Sequence, residues 1–237
     1  MVEAYRSILP YESLTMSTQI KERPILFSGA MVRALLDGSK TQTRREVKMP
    51  PSWDCFVCAD WSGGWWPYRS DDGESPTYDN NEIPLNCPYG QPGDRLWVRE
   101  TWAPHPDFPT CVRRPVYRAD PECKYDVERW RPSIHMPRWA SRILIEVVSV
   151  RVERLSDCSQ MDAIAEGAVS IRSQAWDREH FPAWRYLFDE AVAAGAKPPI
   201  GPTPVQAYQA LWDSINGTGS WDTDPWVWVV EFKRVRP

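Results

Sequence analysis

Reactive groups are most concentrated at Lys40-Thr41-Gln42-Thr43-Arg44-Arg45, where an amine, two hydroxyls and two guanidinium groups share one short segment. Hydrolysis of an amide needs a nucleophile, a group that takes its proton, and donors for the developing oxyanion. Thr43 offers the nucleophile, or a hydroxyl that positions a water. A lysine with the ordinary value of about 10.4 stays protonated at pH 7, so Lys40 is a base only where burial or neighbouring cations lower it. Arg44 and Arg45 are such cations, and both are also candidates for holding a substrate. The competing reading is a solvated basic turn that meets phosphate, with Thr43 merely capping the turn.

A second concentration is aromatic and basic. Trp97, Trp102, Tyr117 and Trp139 lie beside Arg99, Arg131, Arg138 and His135, the mixture that stacks a base and holds its phosphate. The same rings at strand positions also suit a core. Glu100 joins this set as a candidate contact, although strand alternation sends Arg99 and Glu100 to opposite faces. Cys55-x-x-Cys58, with Cys87 and one of Cys111 or Cys123, offers the ligands of a structural zinc that would pin a long loop. A close second cysteine pair is lacking. Neither a nucleophile-elbow motif nor a glycine-rich phosphate loop occurs.

These groups have to be held by surrounding elements. Arg23 to Phe27 reads as a short strand; Ser28 then caps a helix carrying Met31, Val32, Leu35 and Leu36, which Gly38 ends. Ser39 to Arg45 follows as a turn. Residues 50–86 are rich in Pro, Gly, Asp and Asn without a sustained period, and read as a long loop or insertion. Arg95 to Trp102 alternates as one strand. In the next strand Ile143, Ile145 and Val147 alternate, and the pattern then slips to Val148, Val150 and Val152, which predicts a β-bulge at Val147-Val148. Ser159 and Asp162 form a capping box for a short helix that stops at Gly167, leaving Glu166 at its end. Further helices are expected from Pro182 to Ala194 and after Thr203-Pro204-Val205-Gln206, where Tyr208, Leu211, Trp212 and Ile215 form one stripe. Trp226 to Val235 closes the chain as a strand. The order of elements does not alternate as βαβ, so the expected class is α+β: a mixed, mainly antiparallel sheet curled into a small barrel, with flanking helices.

The chain of 237 residues, 42% hydrophobic and 25% charged, is long enough to bury a sizeable core. A net charge of -4 excludes a uniformly basic coat, so any polynucleotide would need a local patch. Fourteen tryptophans against six phenylalanines mean that large rings with an N–H build the core and any pocket. No apolar run approaches bilayer length and no signal-peptide pattern opens the chain, which leads to the expectation of a cytoplasmic protein. Residues 1–22 read as a tail, with Met16 an alternative start.

The Lys40 to Arg45 segment, the Pro92-Gly93-Asp94-Arg95-Leu96-Trp97-Val98-Arg99-Glu100 string and the closing Val227 to Phe232 strand together resemble the ASCH domain of the PUA-like superfamily. The strings Pro24 to Arg45, Cys87 to Trp102 and Trp130 to Arg142 are similar to a phage- and prophage-encoded branch of it, which implies a chain acting in a bacterial host. The resemblance covers most of Arg23 to Val235 as one domain, with insertions at about 50–86 and 170–202. It implies a β-barrel whose cleft takes a nucleoside, a nucleotide or an RNA segment. Small bacterial members remove the acetyl group of N(4)-acetylcytidine with a lysine, a threonine three residues later and a glutamate, and need no cofactor. Lys40 and Thr43 stand in that register, and Glu166 is the match for the third. In this role Glu166 orients Lys40 or carries the proton to the leaving amine. Some members cut RNA, so a ribonuclease is one alternative; a non-catalytic RNA- or DNA-binding module, in which Lys40 only meets phosphate, is the other.

Overall fold

The long apolar alternation around residue 145 builds the spine of the molecule. The computed structural model describes residues 20–48, 55–59, 64–68, 86–108, 114–121, 123 and 125–235, with 55–59 and 64–68 described by their backbone. In chain order the strands and helices are β1 (Glu22–Leu26), α1 (Gly29–Leu36), β2 (Gln42–Glu46), β3 (Cys55–Ala59), β4 (Gly64–Tyr68), β5 (Arg95–Arg99), β6 (Trp102–Pro104) and β7 (Pro115–Tyr117). They continue with β8 (Leu144–Arg154), α2 (Gln160–Ala165), α3 (Gln174–His180), α4 (Pro182–Ala193), α5 (Pro204–Asn216) and β9 (Trp226–Val235).

The architecture is α+β, built on a five-stranded mixed sheet of order β1-β5-β8-β9-β2. Only β1 and β5 run parallel; the other ladders are antiparallel. Four successive residues of β9, Val227 to Val230, are buried, the pattern of a strand covered on both faces. Ile25, Val32, Leu35, Leu96, Val98, Ile145, Val147 and Phe232 complete the main core, and Trp102, Met136 and Ala140 form a smaller one. Among the described residues no ladder joins the edge strands β1 and β2. Their ends nevertheless approach, because Arg45 Nη2 of β2 donates to the Leu26 carbonyl of β1 at 2.7 Å.

The expected bulge is present: Val147 pairs with Phe232 and Ser149 with Glu231, leaving Val148 outside the ladder. Its consequence reaches the site. Beyond the bulge Val150 and Val152 pack on the core, so Arg151 and Glu153 are turned to the opposite face. Ser28, Ser159 and Thr203 cap α1, α2 and α5 as their sequences require.

Some expectations need correction. Ser39 to Arg45 is not a turn: Gln42–Glu46 forms β2, paired along its length with β9. The strand was hidden because its buried side chains, Gln42, Thr43 and Arg44, are polar, so no apolar alternation marks it. The strand expected from Arg95 to Trp102 ends at Arg99, and Trp102–Pro104 pairs separately with β7. Glu100 therefore leaves the ladder, and the opposite-face rule does not govern it. The stretch 50–86 contains the β3-β4 hairpin, and 170–202 contains α3 as well as α4. Glu22 belongs to β1 rather than to a tail. Among the described residues no helix is long and apolar enough to cross a membrane.

Asp94 explains the turn-rich string before β5. Buried at the head of that strand, its carboxylate accepts from the Lys21 backbone N–H at 3.0 Å, the Gln91 N–H at 3.2 Å and Arg23 at 2.6 Å. A Cβ on Gly90, at φ +103°, would fall 2.7 Å from Asp94 Oδ2. The motif thus ties β1 to β5. Asp94→Ala is expected to lower stability by about 2–3 kcal/mol in urea unfolding, and Asp94→Asn by less, since it keeps one acceptor. A loss below about 0.5 kcal/mol, the range of ordinary surface substitutions, would remove this role.

Candidate functional site

Lys40 is placed by the end of α1. Gly38 takes a positive φ of 84°, the Lys40 backbone N–H donates to the Ala34 carbonyl at 2.9 Å, and the side chain runs inward. Its Nζ donates to Glu166 Oε2 at 2.9 Å, to the Glu166 carbonyl at 2.8 Å and to the Gln42 carbonyl at 2.8 Å. All three ammonium protons are used. Glu166 caps the C-terminus of α2, and the Thr41 N–H donates to the Ala165 carbonyl at 2.8 Å, which joins the two segments. Gly167 turns the chain at φ +79°, where an added Cβ would stand 3.2 Å from Lys40 Cβ and 3.1 Å from Ala34 Cβ. A glycine is needed there for the turn and for the passage of Lys40.

The second Glu166 oxygen accepts from Arg44 Nη1 at 3.2 Å. Arg44 also donates to Glu153 through Nε at 3.0 Å and Nη2 at 2.5 Å, and lies 3.5 Å from Asp162. Lys40, Thr43, Arg44 and Glu166 are each 2% exposed, which rules out the solvated basic turn. Arg151 extends the network outward to Glu153 at 3.0 Å, Asp162 at 3.2 Å and Glu231. Lys40 Nζ and the Arg45 guanidinium lie 5.4 Å and 5.3 Å from the Phe27 ring centroid.

Burial pushes Lys40 below its ordinary value, Glu166 resists the shift, and Arg45 and Arg44 push further down. Burial works against the charge on Arg44, but Glu166 and other acidic neighbours raise it. Burial lifts the Cys158 thiol to about 12, and raises Tyr208 together with the Glu166 charge. Asp162 goes the other way: burial would raise it, yet hydrogen bonds from Ser159 and Gln42 and the Arg44 charge bring it to about 2.

A cleft with about 40 Å³ of room opens on this cluster, lined by Thr43, Arg44, Arg45 and Glu166 on one side and Tyr208, Leu211 and Trp212 on the other. Lys40 does not line it and stands behind Glu166. A buried amine and carboxylate in hydrogen-bond contact can exchange a proton, so the face that Glu166 turns to the cleft can take one from a hydroxyl or a water and return it.

The remaining expected contacts lie elsewhere. Trp97 is buried under Arg99, whose guanidinium is 4.8 Å from the ring and donates to the Met136 carbonyl at 3.1 Å. Glu100 is held by Arg142 through two bonds of 2.9 Å; burial raises its value while Arg142 lowers it. Arg142 also bridges to Asp120 at 2.6 Å and covers the Tyr117 ring at 3.9 Å, and the Tyr117 hydroxyl donates to the Ala140 carbonyl. Trp102 is a core residue, edge-on to Trp139, which is 51% exposed. Arg138 pairs with Glu22 at 2.8 Å. His135 lines a separate cleft of about 680 Å³ with His105, Arg129 and Arg131. These aromatic and basic candidates thus lie apart from the cleft beside Glu166.

Sequence reasoning passed over Glu153, Asp162, Arg151, Tyr208 and Trp212. The slip at the bulge was the signal for Arg151 and Glu153, and the capping box had already singled out Asp162. For zinc, Cys87 is half-buried and pushed up to about 11 by burial, while the side chains of Cys55 and Cys58, and Cys111, lie outside the described residues. Among the described residues no three His, Cys, Asp or Glu side chains gather as a metal site. No protein-family model, curated protein or solved structure matches the chain.

The low value of Asp162 fixes an acid limb of stability. Because its folded value lies below the ordinary 3.8, its contribution is complete above about pH 4 and is lost as pH falls through about 2. Wild type should lose about 2 kcal/mol over that window relative to Asp162→Asn, read from urea midpoints at each pH. Parallel curves for the two proteins would overturn the assignment.

Proposed function

We propose that this chain is an ASCH-type protein of the PUA-like superfamily that recognises a modified nucleoside or nucleotide and hydrolyses the amide of an N-acylated base, such as N(4)-acetylcytidine. The observation that carries this reading is the buried Lys40–Glu166 pair, whose members stand 126 residues apart in the chain and whose carboxylate faces a cleft shared with Thr43. In the same reading the sheet is a small barrel with its seam between β1 and β2. The Arg45 bond to the Leu26 carbonyl and the 6.3 Å approach of the Phe27 and Phe232 rings support that closure. The protein is phage-encoded and acts in the cytoplasm of a bacterial host, in line with the motif resemblance.

Glu166 accepts a proton from a water, or from the Thr43 hydroxyl, as its oxygen attacks the acyl carbon. Lys40 holds Glu166 in place by donating to it, and because burial has lowered the lysine its ammonium can pass a proton along that hydrogen bond to Glu166 as the amine departs. Collapse of the tetrahedral species breaks the C–N bond, and the proton passes to the departing amine nitrogen, giving a carboxylic acid and a free amino base. With Thr43 as attacker, a water repeats the sequence on the ester. No cofactor enters these steps.

A second reading, a nucleic-acid-binding module without catalysis, is favoured by the 680 Å³ cleft with Arg129, Arg131 and His135 on its wall. Acetate release from N(4)-acetylcytidine separates the two. Wild type should be active, with Lys40→Met and Glu166→Gln slower by about 10²–10⁴ while retaining wild-type circular dichroism. Equal rates in all three would remove the assigned roles. Salt-sensitive binding of RNA without acetate release would favour the second reading, and cleavage of the RNA would make the protein a ribonuclease.

A further inference from the structure

Among the described residues five buried side-chain nitrogens lack a hydrogen-bond partner: Arg95 Nε, Trp102 Nε1, Trp184 Nε1, Arg185 Nε and Trp212 Nε1. Of their residues, only Trp212 lines the cleft that holds Thr43 and Glu166. Trp212 is 5% exposed, so its indole N–H is withheld from bulk water, and leaving such a donor unsatisfied costs about 1–3 kcal/mol. Orphan donors of this kind call for a specific explanation.

The position of the ring is not accidental. Thr203 and Gln206 form a capping box and Pro204 opens the first turn, which fixes where α5 begins. The Val205 N–H then donates to Gln160 Oε1 of α2 at 3.2 Å, docking α5 against the helix that ends in Glu166. Tyr208, Leu211, Trp212 and Ile215 follow at i, i+3, i+4 and i+7, so one helix face forms the wall opposite β2.

The remaining lining divides by chemistry. Met31 and Leu211 are apolar and buried, while Arg44 is already engaged by Glu153 and Glu166. The room, about 40 Å³, takes about three water-sized groups at the roughly 10–15 Å³ that each requires, fewer than the six ring atoms of a pyrimidine. A group entering here must be small, with one end apolar and the other a hydrogen-bond acceptor.

We infer that this cleft is an acyl subsite, in which Trp212 Nε1 donates to the carbonyl oxygen of the substrate while Met31 and Leu211 receive a methyl. The inference rests on the amidohydrolase reading for its reaction, though not for the binding of an acyl group. The base stays outside, past Ile215, which is 50% exposed on the cleft wall. As water adds to the acyl carbon, the carbonyl electron pair moves onto the oxygen that Trp212 holds. Its return expels the amine, with the proton delivered through Glu166. The size of the cleft makes the enzyme selective for acetyl over longer acyl groups.

The test uses the full chain, with Trp212→Phe to keep a ring without the N–H and Ile215→Ala to widen the mouth at an exposed position. On N(4)-acetylcytidine, Trp212→Phe should lose about tenfold or more in kcat with KM within about twofold, the signature of a donor to the developing oxyanion. Ile215→Ala should reduce the preference for acetyl over butyryl by about fivefold, within the range that one or two methylenes command in an apolar pocket. Independently of turnover, acetate titrated into ¹⁵N-labelled protein should shift one indole N–H signal, the one missing from Trp212→Phe. Hydrolysis by wild type, with Trp212→Phe equally fast and that indole signal unmoved, overturns the acyl subsite and leaves the amidohydrolase reading intact. An acetate-dependent shift without hydrolysis of any acylcytidine upholds the subsite and overturns that reading.

Discussion

An ammonium and a carboxylate removed from water lose several kcal/mol each of hydration, and their mutual attraction compensates only when every remaining proton and lone pair is engaged. Lys40 and Glu166 meet that condition except for the lone pairs that Glu166 turns to the cleft. Three acceptors take the lysine protons, and both carboxylate oxygens are occupied, one by Lys40 and one by Arg44. Much of the local architecture follows from this constraint. The chain must leave α1 through a positive-φ glycine, re-enter as a strand beside β9, and meet α2 at its C-terminal end, where Gly167 leaves room for the lysine stem.

Because Arg44 cannot lose its charge, its burial imposes the next layer. It draws in Glu153, which the bulge at Val148 turns toward β2, and Asp162, which the capping box of α2 already fixes. Arg151 then neutralises those carboxylates and reaches half-exposed Glu231. The network therefore runs from a dry interior to the surface along one sheet face, each ion held by the one before it. Removing a member near the interior leaves an uncompensated charge; removing one near the rim leaves water to replace it.

α1, α2, α4 and α5, with β8 and β9, were legible in the sequence because each is marked by a physical signal that neighbours in the chain supply: a capping hydroxyl, an apolar stripe, an alternation, or a slip in it; α3 was not. Thr203 with Gln206 and Val147 with Val148 are clear cases. β2 was not legible, since Gln42 and Arg44 advertise a solvated loop until their partners from β8 and α2 are in place. Lys40 and Thr43 could be singled out by type and spacing, and Glu166 only through the family resemblance. The separation of the aromatic residues from Lys40 could not be read, because it depends on Glu100 leaving its strand to meet Arg142. That is a long-range contact with no local trace.

Two of the buried carboxylates, Glu100 and Glu166, show why chemistry belongs with one and not the other. Glu100 and Glu166 are both sealed from solvent, and each is satisfied by a basic side chain through bonds of about the same length. Arg142 grips Glu100 with a planar fork whose charge is permanent, and Asp120 and the Tyr117 ring fix that fork further. Such a pair is a strut. Lys40 is a point charge on a flexible stem, driven toward its neutral form by the same burial that encloses it, and its carboxylate partner alone borders a cleft. A proton can move between Lys40 and Glu166 with little rearrangement of heavy atoms, and a group entering the cleft meets the end of the pair that can use it. The fold thus employs one arrangement twice, and the replacement of a guanidinium by an amine turns a structural tie into a site able to transfer a proton.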